Sequence, residues 1–84
     1  MTARVSNTVR VLDPWMESEP DVDKRIAVLN ALVRASSDYP RLFDQSGYGH
    51  PLKRLIEVPE AAVAITVLLT HPSVGIHLLS IDDI

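Results

Sequence analysis

The sequence predicts an all-α fold, a compact bundle of four to six short helices with right-handed, armadillo-like packing. Three observations predict it. Pro14, Pro20, Pro40, Pro51, Pro59 and Pro72 cut the 84 residues into short segments. Apolar residues recur at helical spacing between the prolines. Acidic residues and prolines stand where helices would begin, and a glycine stands where one would end. The length allows one small domain, 1–84, with 1–5 and 81–84 expected to fray.

The elements follow in order. From Ser6 to Met16, residues Val5, Val9, Leu12 and Met16 fall on one helical face, with Ser6 as a plausible N-cap. Val5, Val9 and Val11 also fit a strand period, and Pro14 bends or ends the helix. The clearest element is a helix from about Glu19 to Ser36. Ser18 and the acids around Pro20 open it, in a variant of the capping box. Val22, Ile26, Leu29, Leu32 and Val33 form its apolar stripe. Asp38 then caps a short helix carrying Pro40, with Leu42 and Phe43 inward and Gly47 at its end.

Pro51 begins a further short helix with Leu52, Leu55 and Ile56 apolar. Pro59 and Glu60 open a helix over Ala61 to Thr70, which is apolar nearly all round and so is expected at the centre. Its Val63, Ile65, Thr66 and Val67 favour strands intrinsically. His71-Pro72 stops it, and a last short helix falls near Ile76 to Ser80 before a solvated acidic end.

Composition narrows the function classes. The chain is 46% apolar and 23% charged, an ordinary globular balance. It has no cysteine, which removes disulfides and thiolate chemistry. A net charge of −3 disfavours a nucleic-acid partner, since phosphate binding depends on Lys and Arg. The strongly apolar uncharged run, Ala61 to Leu69, is far short of the ~20 residues that span a bilayer. The N-terminus lacks the apolar core of a signal peptide. The expectation is a soluble, intracellular protein without a membrane partner.

No catalytic constellation emerges. Serines and histidines occur without a signature such as GxSxG to link them. His71 and His77 are six apart and His50 is distant, whereas helical metal sites favour a spacing of three or four. Asp82 and Asp83 lack the further ligands of a calcium loop. Trp15, beside Met16, reads as a packing residue. No enzyme activity, metal or cofactor is expected. The stretch FDQSGYGHPLKRL, residues 43–55, is neither GxGxxG nor a P-loop and follows a helix rather than a strand. It reads as a helix–helix corner with Lys53 and Arg54 pointing outward as a small basic patch.

PDVDKRIAVLNAL, YPRLFDQSGYGHPLKRL and EAAVAITVLL, in that order, resemble the N-terminal domain of transcription elongation factor IIS. Related elongation regulators and the integrase-binding domain of lens epithelium-derived growth factor share that module. Ser46, Gly47, Tyr48, Gly49, Leu52 and Leu55 stand at the family's corner positions, and Ala64, Leu68 and Leu69 match its later helix. The resemblance covers about Val9 to His71, but LLTHPSVGIHLL replaces the family's closing Leu-Trp and basic turn. Armadillo or HEAT repeats, with a similar phrase, are the competing resemblance.

The resemblance implies a non-catalytic module that docks a short, acidic, aromatic-containing motif of a transcription or chromatin partner, and with it a nuclear location. Carried over by position, the groove would lie near Leu55, Ile56 and Val58 and near Ser18 and Val22, with Lys53 and Arg54 steering. The alternative is a small helical structural or inhibitory protein acting through its folded surface, possibly as an oligomer. The apolar excess in the last third of the chain motivates it.

Overall fold

The computed structural model describes residues 3–44, 51–70 and 75–84. Its architecture is mixed α/β, which corrects the expected all-α, armadillo-like bundle. The order is β1 (Arg4–Ser6), α1 (Leu12–Ser18), α2 (Val22–Ser37), α3 (Pro40–Asp44), β2 (Lys53–Val58), β3 (Val63–Thr70) and β4 (Gly75–Asp83). The strands form one sheet in the order β1-β4-β3-β2. β1 runs parallel to β4, and the other pairs are antiparallel. The helices pack on one face of this sheet, giving two layers around one core.

α2 and α3 stand close to where spacing predicts helices. The N-cap of α2 is Asp21, whose carboxylate accepts from the Asp23 amide at 2.9 Å. Ser18, expected to open this helix, instead closes α1 and donates to the Trp15 carbonyl at 3.0 Å. Ser6 belongs to β1 rather than to a helix cap.

The three segments after Pro51 are strands, not helices, and the reason lies in period and turn chemistry. Along β3, Val63, Ile65, Val67 and Leu69 are buried, while Ala64, Thr66, Leu68 and Thr70 are half-buried. That is a period of two, and the β-branched residues suit a pleated surface. Pro59-Glu60, expected to open a helix, forms a 3-10 turn over Pro59–Ala61. Ala62 follows in the left-handed region at φ 53°, and its amide donates to the Pro59 carbonyl at 3.1 Å. Val58 and Val63 are therefore paired, and β2 and β3 form a hairpin.

β4 replaces the helix expected near Ile76 to Ser80, and it takes up Ile81, Asp82 and Asp83, which were expected to fray. A bulge opposite Thr66 and Val67 inserts Leu79 as an unpaired extra residue. It shifts the strand's parity, so that Ile81 joins Ile76 and Leu78 on the core side. At the other end of the chain, Ala3 is buried and its amide donates to the Ser36 carbonyl at 2.8 Å. This ties the start of β1 to the end of α2.

The core face of the sheet carries Ile76, Leu78, Val67, Leu69, Ile65 and Val58, packed against Val28, Ala31 and Leu32 of α2. Trp15 and Met16 pack at its margin, as read from the sequence. Among the described residues no helix is long and apolar enough to cross a membrane.

Candidate interaction surface on α2

α2 carries two apolar faces, and only one meets the sheet. At 3.6 residues per turn, Val28, Ala31, Leu32 and Ala35 share the inward face. The other face carries Val22, Ile26, Leu29 and Val33 at i, i+4, i+7 and i+11. These four are 57%, 49%, 39% and 65% exposed. Of the stripe read from the sequence, only Leu32 is buried. An aligned row of four large aliphatic side chains along a helix is the kind of exposed patch that marks an interaction site.

A groove runs along each side of this row. One is lined by Asp23, Ile26, Asn30, Val33, Arg34 and Glu60. The other is more apolar and is lined by Val5, Thr8, Leu12, Leu29, Leu32 and Val33. Among the described residues, Asp23 and Arg34 form no side-chain ion pair, and the salt bridge between Arg41 and Asp38 at 2.9 Å is elsewhere. Charge therefore flanks the apolar row without being neutralised within this part of the chain.

The residues singled out from the sequence separate into several places. Leu55 and Ile56 lie on the edge strand β2 and line an open groove of about 420 Å³ with Arg34 and Arg41. Val58, on the same strand, is fully buried in the core. Arg54 is 5% exposed and faces inward, so it cannot act as an outward steering charge. Its Nε donates to the Leu42 carbonyl at 2.5 Å, and its Nη1 donates to the carbonyls of Pro51 at 2.6 Å and Lys53 at 3.0 Å. Lys53 is half-buried opposite Leu68, on the sheet face away from the helices. Val22 begins the exposed row on α2, and Ser18 lies on α1 before it. The corner residues Ser46, Gly47, Tyr48 and Gly49 lie outside the described residues, as do His50 and His71.

Sequence reasoning missed one polar pair. On the sheet face away from the helices, Ser6 Oγ lies 3.1 Å from His77 Nδ1, brought there by the register of β1 against β4. A serine–histidine pair becomes a nucleophile and base when a third group orients the imidazole. Among the described residues, no carboxylate is hydrogen-bonded to His77, and no three His, Cys, Asp or Glu side chains cluster as metal ligands. Ser6 and His77 lie 71 positions apart in the chain, so no local motif could have flagged them.

Comparison with family models, with curated proteins and with solved structures finds no match to this chain.

Proposed function

We propose that the protein is a non-catalytic interaction module that works through the outer face of α2. The observation that carries this reading is the row Val22, Ile26, Leu29 and Val33, which stays exposed while the opposite face of the same helix fills the core. Because these side chains are 39–65% exposed, leaving that part in water forgoes roughly half of the ~1.5–3 kcal/mol that full burial of each one contributes. A covering partner recovers much of that.

A second reading places an extended, acidic, aromatic-containing motif along β2. The groove lined by Leu55, Ile56, Arg34 and Arg41 favours it, since an edge strand can accept a further strand. Its charge does not select strongly for acid, because Asp38, Glu57 and Glu60 line the same groove.

One experiment separates the two readings. A photo-reactive side chain is placed in living cells at Val33, at Leu55 or at Leu79, the exposed bulge residue of β4. The α2 reading expects a discrete adduct from Val33 and none from Leu79. A discrete adduct from Leu55 alone would establish the β2 groove instead. Absence of any adduct from Val33 overturns the α2 reading.

A further inference from the structure

We infer that the occupant of the α2 face is a second copy of this chain, docked through an antiparallel pairing of the two α2 helices. The inference rests on the α2 reading above and deepens it. It is carried by a symmetry in the exposed row. Val22 and Val33 have the same midpoint along the helix as Ile26 and Leu29. A two-fold axis at that midpoint therefore sets Val22 against Val33 of the second copy and Ile26 against its Leu29. Self-complementarity of this kind is what a two-fold interface requires.

The flanking charges obey the same symmetry. At 100° per residue, Asp23 and Arg34 project on one flank of the row, and both line the groove with Ile26, Asn30 and Val33. In an antiparallel pair related by a two-fold axis, each flank meets its own copy. Asp23 then lies about 3 Å along the axis from Arg34 of the second copy, and the contact occurs twice. Among the described residues neither side chain has an ion-pair partner within its own chain, so the second copy supplies one to each. Glu60 stands on the same flank and adds a further carboxylate facing the incoming arginine.

The other flank carries Arg25 from each copy, a like-charge pair. It is drawn away from the axis, because Arg25 Nη2 donates to the Pro20 carbonyl of its own chain at 3.3 Å. On that flank lies the apolar groove lined by Leu29, Leu32 and Val33. A helix of 16 residues is about 24 Å long, so this contact is small for a dimer interface and predicts micromolar self-association.

The test is sedimentation equilibrium of the full chain from about 1 to 500 μM, a range chosen to bracket micromolar association. A concentration-dependent monomer–dimer equilibrium is expected. Ile26→Asp should weaken it more than tenfold while leaving the circular dichroism spectrum unchanged. Asp23→Arg and Arg34→Asp should each weaken it, and the double exchange should restore most of the loss, because the pairs re-form with reversed sign. A wild-type chain that is monomeric throughout overturns the second-copy inference. So does a dimer indifferent to Ile26→Asp. A monomeric chain that still gives an adduct of another protein's mass from Val33 overturns this inference and upholds the interaction reading. A monomeric chain with no adduct overturns both.

Discussion

Replacing Arg54 by Ala should lower the unfolding free energy by about 3 kcal/mol, from a lost buried hydrogen-bond network and the cavity left behind. Arg54 looks from sequence like half of a surface Lys-Arg pair. It points instead into the core, on the sheet face shared with Val67 and Leu69. Its guanidinium donates to the carbonyls of Leu42 in α3, of Pro51 in the turn before β2 and of Lys53 at the start of β2. The Leu42 carbonyl belongs to α3, 12 positions before Arg54 in the chain. Arg54 donates to it across that distance and so ties α3 to the sheet. A planar fork reaches several carbonyls at once, whereas an ammonium is a single point. Arg54→Lys should therefore recover less than half of the loss. Urea denaturation checks both variants. A loss below about 0.5 kcal/mol for Arg54→Ala, typical of a surface substitution, would contradict the buried role.

Ile65→Ala should cost about 3–4 kcal/mol, while Ile26→Ala should change monomer stability by less than about 0.5 kcal/mol. Ile65 is fully buried in β3, a strand paired on both sides, between Ile56 of β2 and Ile81 of β4. Its removal leaves a cavity lined by three strands, which relax little. Ile26 faces solvent on α2. For a domain of this size the total stability is about 4–13 kcal/mol, so the first substitution threatens the fold and the second does not. Denaturation of both variants at submicromolar concentration, well below the range of the expected self-association, gives the comparison. Equal losses would mean that α2 buries the wrong face.

Helices α2 and α3 were legible because their signals are local. The helix expected over Ser6 to Met16 is instead the end of β1, a turn and an α1 that begins at Leu12 and passes through Pro14. The apolar spacing and the acidic start around Asp21 placed α2 within a few residues. The sheet was not legible because its decisive contacts are distant in sequence. A nearly uninterrupted apolar run such as Val63 to Leu69 fits a buried helix or a buried strand equally well by hydropathy. Pro59-Glu60 is a common helix start, and the same dipeptide here serves a 3-10 turn followed by a left-handed Ala62. The β-branched content of Val63, Ile65, Thr66 and Val67 was the signal for the strand, and the helix-start signal overrode it. The elongation-factor and armadillo resemblances each imply packed helices, which the four-stranded sheet contradicts.

The candidate surface was half legible. The apolar row on α2 was visible, but its periodicity does not say which side of a helix meets the core. α2 holds alanines and Val28 on the face that packs. Small residues let a helix approach the sheet closely, and they carry less hydropathy than the aliphatic row that remains outside. The burial of Arg54 was not legible, because a charged residue beside Lys53 and near Gly49 gives no sign that three carbonyls await it.

The central claim, that α2 turns its larger aliphatic side chains outward to form a contact surface, is tested most directly by methyl NMR with a soluble paramagnetic probe. In dilute protein the methyls of Val22, Ile26, Leu29 and Val33 should broaden strongly, and those of Val28 and Leu32 should be protected. On concentration the first group should become protected while Leu79 stays broadened. Protection of Ile26 and Val33 in the dilute protein, with broadening of Val28 and Leu32, would contradict the account.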